Sequence, residues 1–293
     1  MVNIAEILEY RKYYRNWIPV LFKQAIPGDR TKKNIFIRPR NSTTNLFVNP
    51  FVAHYYVKFK SSTNQNISDV SIMAHDTLQF FYRNKRVSLT MKTFCDLYAT
   101  FLNEDYLWLK VCGETVIDVG ANIGDSALYF AISGAKSVIA LEPYPFSYEL
   151  AKKNIEDSDY KNIIEILNAG YGKDGKIEVD EKFKSGAGSH LRKADNGKEV
   201  NLYSLKTLTT RYKIQSAVLK IDCEGCEYNL LNEEGDTIRK FHRIIIEYHH
   251  GYVSLVQKLR ELGYKVNYTE PKNFKVKENK ESLQLGMIYA SLE

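Results

Sequence analysis

Apolar positions are spaced differently in the first hundred residues and in the remainder of the chain. In the opening segment Ile4, Ile7, Leu8, Tyr14, Trp17, Ile18 and Leu21 recur at near-helical spacing, which predicts a helix interrupted at Pro19. The polar stretch from Pro27 to Pro50 reads as loop, apart from a short strand over Asn34 to Ile37. From Val70 to Met91 the alternation predicts a hairpin, with DTLQFFY and RVSLTM as strands about Arg83-Asn84-Lys85. Thr93 then has the character of a helix N-cap, with Asp96 three residues on and Phe94, Leu97, Tyr98, Phe101 and Leu102 behind it.

From Glu114 the pattern changes to short apolar runs separated by helical stretches. The runs are TVIDVG (115–120), SVIALE (137–142), IIEILNA (163–169), SAVLKID (216–222) and RIIIEYH (243–249), followed by YKVNY (264–268) and GMIYASL (286–292). Helices are expected at Asp125–Ile132, Pro145–Ile155, Cys226–Leu231 and Val253–Leu262. Continuous apolar strands alternating with helices describe a parallel sheet covered on both faces, the doubly wound α/β architecture. In such a sheet the ligand lies outside the carboxyl ends of the strands, near the switch in strand order.

Composition narrows the class. The 293 residues are 44% hydrophobic and 26% charged, enough apolar material for a sizeable core and too much for a disordered chain. No apolar run approaches the about 18–20 residues that span a bilayer. The start, MVNIAEILEYRKYYRNW, carries Glu6, Glu9 and Arg11 where a signal peptide is apolar, so a soluble, cytoplasmic protein is expected. The basic opening helix could lie on a membrane surface, but docking on the protein's own core is the favoured reading. Four cysteines, Cys95, Cys112, Cys223 and Cys226, are too few for a disulfide framework, which agrees with a reducing compartment. A net charge of +6 suits an anionic ligand without establishing nucleic-acid binding.

The segment VIDVGANIGDSALYF (116–130) carries the first chemical signal. A strand ends at Asp118, a glycine-containing turn follows and a helix starts near Asp125, so backbone amides and a positive helix end face the ligand. A dinucleotide loop would need G-x-G-x-x-G, but Asn122 stands at the second glycine and Asp125 at the third. The remaining Asp118-x-Gly120-x-x-x-Gly124 pattern fits a ligand with an amino-acid end, such as S-adenosylmethionine, whose ammonium would pair with a carboxylate. Glu142, at the end of the next strand, is placed to accept from both hydroxyls of a ribose. Asn168-Ala169, ending the third strand, suits the adenine edge or an ordinary turn.

VIDVGANIGDSALYFA, VIALEPYPFSYELAKKNI, NAGYG, VLKIDCEGCEYNLL and IIIEYH together resemble the FkbM family of S-adenosylmethionine-dependent methyltransferases, over about two thirds of the chain from Tyr106 onward. The resemblance implies the class I, Rossmann-like methyltransferase fold: a seven-stranded, mostly parallel sheet whose last strand is antiparallel. It also implies methylation of hydroxyls, often on sugars or secondary metabolites. Residues 106–293 are then the methyltransferase domain, and residues 1–105 an α+β extension of helix and hairpin, a candidate for acceptor binding or oligomerisation. The cofactor-binding candidates are Asp118, Gly120, Asn122, Gly124, Glu142, Asn168, Ala169 and Asp222.

The block LKIDCEGCE (219–227) is expected on the acceptor side. Asp222 and Glu224 border the position of a transferable methyl, Gly225 permits a close turn, and Lys220 shares the face of Asp222 as a possible ion-pair partner. The resemblance covers the whole Asp222-x-Glu224-Gly225-x-Glu227 element without giving each acid its role. Cys223 and Cys226 read as small apolar fillers, since zinc would need two further ligands. In the fifth strand His249 is the favoured general base, its ordinary pKa lying near 6.5; the catalytic candidates are thus His249, Asp222 and Glu224. The same three could hold Mg²⁺ or Mn²⁺, but a metal-free site is favoured. The loop FKSGAGSHL (183–191), with His190, reads as a surface loop or a cover over the acceptor.

The expected activity is transfer of a methyl group from S-adenosylmethionine to a hydroxyl of a small-molecule or glycan acceptor. The alternatives are a non-catalytic nucleoside-binding module of the same fold and a nucleic-acid methyltransferase. The latter is disfavoured because Asp-Cys-Glu-Gly stands where amino-directed DNA methyltransferases carry an Asn/Asp-Pro-Pro-aromatic element.

Overall fold

The computed structural model describes residues 4–25, 34–93, 95–181, 183, 197–275 and 282–292. The chain divides into two units, residues 1–104 and 105–293.

The first unit opens with helices α1 (Ile4–Tyr13) and α2 (Trp17–Ala25). Pro19 lies inside the first turn of α2, where a missing N–H costs no helical hydrogen bond. The break comes earlier, because the chain between the helices bonds elsewhere: Arg15 N–H donates to Arg38 O at 2.8 Å, and the Asn16 side chain bridges Phe36 O and Arg38 N–H. The ribbon β1 (Ile35–Ile37) with β2 (Leu46–Val48) follows. Helix α3 (Pro50–Ser61), which the spacing of apolar residues does not announce, has Pro50 at its start and an Asn49 side chain accepting from Phe51 N–H. It is buried nearly all round, so it has no polar face to reveal a period. The expected hairpin is a three-stranded meander, β3 (Ile67–Met73), β4 (Thr77–Tyr82) and β5 (Lys85–Thr90). Beyond it, Asp96 rather than Thr93 caps the next turn, its carboxylate accepting from Tyr98 and Ala99 N–H. Phe59, Phe80, Phe101 and Tyr82 form the core of this unit, with successive ring centroids 4.5–5.2 Å apart.

The second unit is built on β6 (Thr115–Val119), α4 (Asp125–Ile132), β7 (Ser137–Leu141), α5 (Pro145–Glu156) and β8 (Ile164–Leu167). The chain continues through β9 (Ala169–Tyr171), β10 (Gly175–Val179), β11 (Lys198–Tyr203), α6 (Leu205–Arg211), β12 (Ala217–Ile221) and α7 (Gly235–Ile238). It closes with β13 (Phe241–Tyr248), α8 (Val253–Glu261), β14 (Lys265–Tyr268), β15 (Lys272–Lys275) and β16 (Ser282–Ser291). The main sheet runs β14-β16-β13-β12-β6-β7-β8, with β15 pairing off β16. Every pair from β13 to β8 is parallel, and β16 is antiparallel to both its neighbours, β13 and β14. This is the doubly wound, seven-stranded α/β sheet with an antiparallel last strand. Strands β6, β7 and β12 are buried almost throughout, as a sheet covered on both faces requires.

Two local expectations change. The run IIEILNA divides at Asn168, and β9 leaves the main sheet to pair in parallel with β11. The expected α-helix after Gly225 is a 3-10 turn, Cys226–Asn232. Of the loop FKSGAGSHL only Phe183 is described, its ring 4.8 Å from that of Tyr144; His190 lies outside the described residues.

Candidate active site

Strand order reverses between β6 and β12, and the ends of these two strands are tied together. Asp222 N–H donates to Val119 O at 3.1 Å, and Gly120, at φ +81°, passes so close that a Cβ would lie 1.8 Å from Asp222 O. Gly120 is thus demanded by the neighbouring strand end as well as by the turn itself. Gly124, at φ +83°, supplies the N-cap of α4 without a side chain.

Asp118 points inward. It is fully buried, with Ser126 Oγ donating to one carboxylate oxygen at 2.6 Å and the Lys220 ammonium 3.1 Å from the other, as an ion-pair contact. Lys220 is itself buried and donates to Gly120 O at 2.7 Å and Val119 O at 3.2 Å, with Asp222 at 3.9 Å. Burial alone would lower its pKa, but Asp118 and Asp222 outweigh burial and hold it raised, so Lys220 stays an ammonium. The ring of Tyr106 lies 5.8 Å from that charge. Asp118 thus has a cation within the chain, and with Lys220 it pins the glycine turn.

Glu142 lies just past the end of β7. Its Oε2 accepts from Asn122 N–H at 2.9 Å and its Oε1 from Tyr144 N–H at 3.0 Å, which fixes the carboxyl plane beside the turn. Each oxygen keeps a further lone pair. Burial, opposed by these N–H groups and by Lys220, pushes its pKa up to about 8. Asn168 Nδ2 donates to the carbonyls of Glu142 and Pro143, both at 3.0 Å, so its amide nitrogen shapes this corner. Ala169 is buried in β9 and offers almost no surface to a ligand.

Around the end of β12 the structure gathers Asp222, Glu224, Glu227 and His249. His249 is held on both ring nitrogens, by Glu224 at 3.2 Å from Nε2 and by Glu227 at 3.0 Å from Nδ1. Burial would lower its pKa, but the hydrogen bonds and charges of the two glutamates lift it to about 11. This direction favours an imidazolium whose two ring N–H groups are both directed at glutamates. Glu227 is fully buried and also accepts from His249 N–H at 2.9 Å and Gly225 N–H at 2.8 Å. Asp222 keeps 27% of its side chain exposed, and burial of the remainder, against Lys220 and His249, raises its pKa.

Cys223 and Cys226 are joined in a disulfide rather than being free fillers. Glu224 (φ +56°) and Gly225 (φ +113°) turn the chain so sharply that the two Cα atoms are 5.4 Å apart, within disulfide reach. Sequence reasoning also left Glu227 and Tyr106 without a role. The available signal for the first was its place in the Asp222-x-Glu224-Gly225-x-Glu227 element; nothing in the local pattern marks the second. Among the described residues no group of three His, Cys, Asp and Glu side chains is arranged to hold a metal ion. Nor is any helix among them long and apolar enough to cross a membrane.

The model of the methyltransferase FkbM domain matches residues 118–266, just over half of the chain. The chain belongs to the FkbM methyltransferase family. The FkbM span opens on Asp118 and closes on Val266, so it contains Glu142, Lys220, the Asp222–Glu227 element and His249. No curated protein matches the chain by sequence. Solved structures similar to this FkbM chain include TYW2 of M. jannaschii in complex with AdoMet, at 15% identity and TM-score 0.39, over 77% of this chain and 90% of that one. Precorrin-6y C5,15-methyltransferase of Geobacter metallireducens is similar at 13% identity and TM-score 0.37, over 68% of this chain and 93% of that one.

Proposed function

We propose that the chain transfers a methyl group from S-adenosylmethionine to a hydroxyl of a small or sugar-like acceptor. The observation that carries this reading is Glu142: a carboxyl group fixed by two backbone N–H donors beside the glycine turn, with lone pairs left for the two hydroxyls of a ribose. Membership in a methyltransferase family supports the reaction class. The backbone around Gly120 and Asn122 would meet the rest of the cofactor.

When bound, the cofactor supplies a methyl group already activated by its sulfonium. The chain's work is to align an acceptor hydroxyl, remove its proton and exclude water. Asp222 is the residue suited to the proton: its carboxyl group is partly exposed, and a raised pKa makes it a stronger base than an ordinary aspartate. Glu224, held by the His249 imidazolium, has its carboxylate fixed beside Asp222 and is suited to orient the acceptor by accepting a hydrogen bond from it.

The test is incubation with S-adenosylmethionine and a panel of sugars and other hydroxylated small molecules, read by mass spectrometry. An O-methylated product, formed with stoichiometric S-adenosylhomocysteine and lost in Asp222→Asn, supports the proposal. Cofactor binding without turnover across the panel would favour a nucleoside-binding module instead.

A further inference from the structure

The first unit has apolar side chains on its outside and carries the whole of the basic surplus. Ile4 and Leu8, one turn apart on α1, Ile18 and Phe22, one turn apart on α2, and Phe47 on β2 are between 58% and 78% exposed. Helix α2 is apolar on both sides: Val20 and Leu21 are buried, as is the amide of Gln24, which donates to Pro50 O at 2.7 Å, while Ile18 and Phe22 face outward. On α1 the exposed face that begins with Ile4 and Leu8 continues into Arg11 and Lys12, and exposed Arg15, Arg38 and Arg40 lie in the adjoining links. Residues 1–104 hold fifteen Lys and Arg against seven Asp and Glu, a net of +8; the other 189 residues hold 26 against 28, a net of −2.

We propose that this face of the first unit docks on a membrane leaflet carrying anionic lipid headgroups. Exposed Ile, Leu and Phe have no gain from water and a large one from the acyl boundary, and neighbouring Arg and Lys side chains can reach headgroup phosphates while their stems lie along the apolar layer. The mixture decides the occupant. A polynucleotide would use the charge and leave the five apolar side chains in water, and a protein partner would need a matching acidic surface around an apolar centre; an anionic leaflet offers both on any patch of its area. Docking of one side of α1 and α2 on the unit's own core, through Tyr10, Tyr13, Tyr14, Val20 and Leu21, leaves the other side available.

Flotation of the full chain with vesicles tests this. The protein should rise with phosphatidylcholine vesicles that contain phosphatidylserine and stay behind with phosphatidylcholine alone, and the association should weaken as salt is added. Ile18→Ser with Phe22→Ser, and separately Arg11→Gln with Lys12→Gln, should each weaken it about tenfold or more while the far-ultraviolet circular dichroism stays that of the wild type. Should the α2 double variant lose that spectrum, Phe47→Ser on the ribbon gives the same reading without touching a helix. No flotation with the anionic vesicles, or flotation untouched by the apolar substitutions, overturns the proposal. A wild-type dimer in light scattering that the apolar variant converts to monomer would also overturn it, by assigning the face to self-association.

Discussion

The Nδ1 atom of His249 lies 3.0 Å from a carboxylate oxygen of Glu227, a side chain with no exposure to solvent. A buried carboxylate beside an imidazole is stable when the imidazole carries the charge, and Glu224 on the other ring nitrogen adds a second reason for it to do so. His249 is therefore expected to hold its proton to about pH 11. Because this folded-state pKa lies above the ordinary 6.5, the stability it contributes is complete below about pH 6.5 and is lost as pH rises through about 11. Nuclear magnetic resonance of the imidazole should show no titration between pH 6 and 8, and Glu227→Gln should bring the titration down toward the ordinary range. A wild-type midpoint near 6.5 would restore His249 as a candidate base.

Glu142 gives a pH dependence of opposite use. With its carboxyl raised to about 8 by burial, the ligand-free site is largely protonated at neutral pH, and ribose hydroxyls donate best to the ionised form. Affinity for S-adenosylhomocysteine should therefore rise as pH climbs through about 8, with a proton released on binding at pH 7. Calorimetry in buffers of different ionisation enthalpy measures that proton directly. Binding without proton release across this range would show that Glu142 does not meet the ligand in this way. The same raised pKa means that the group's contribution to folding stability is present below about pH 4.5 and lost as pH rises through about 8.

Two glycines at nearly the same φ separate backbone strain from collision. Gly113 (φ +78°) has nothing within 4 Å of the position of a Cβ, whereas at Gly120 (φ +81°) the backbone oxygen of Asp222 lies 1.8 Å away. Gly113→Ala should cost about 1 kcal/mol, the strain of a left-handed residue alone. Gly120→Ala should cost at least about 2–3 kcal/mol more, because the ends of β6 and β12 must part. Urea unfolding of both variants checks the difference, and equal losses would mean that the close approach is not limiting.

The disulfide makes a countable statement. Thiol titration of the denatured chain without reductant should find two groups, Cys95 and Cys112, and four after reduction. Four thiols before reduction would return Cys223 and Cys226 to the role of apolar fillers.

Much of the second unit was legible because its signals are local. Parallel strands buried on both faces read as unbroken apolar runs, so TVIDV, SVIAL and AVLKI stand out, and Pro145 marks a helix start by its missing N–H. Helix α3 was invisible for the converse reason, being apolar on nearly every side. At the candidate site the sequence placed the acids at the strand ends and Lys220 beside Asp222, but not the closer partner of Lys220. Asp118 and Lys220 are about a hundred residues apart in the chain, and only the register of β6 beside β12 brings Asp118 opposite Lys220. The charge state of His249 was illegible because it depends on Glu227, whose distance from it in space is set by the turn at Gly225.

A nucleoside cofactor held at the carboxyl edge of β6 and β7 with Glu142 as its acid must bind more weakly once that acid is removed. Calorimetric titration of S-adenosylhomocysteine into the wild type and Glu142→Ala, both checked for folding, measures this. Saturable binding of one ligand per chain, weakened by about 1–3 kcal/mol in the variant, is the expected result. No binding by the wild type, or equal affinity in a folded Glu142→Ala, would contradict it.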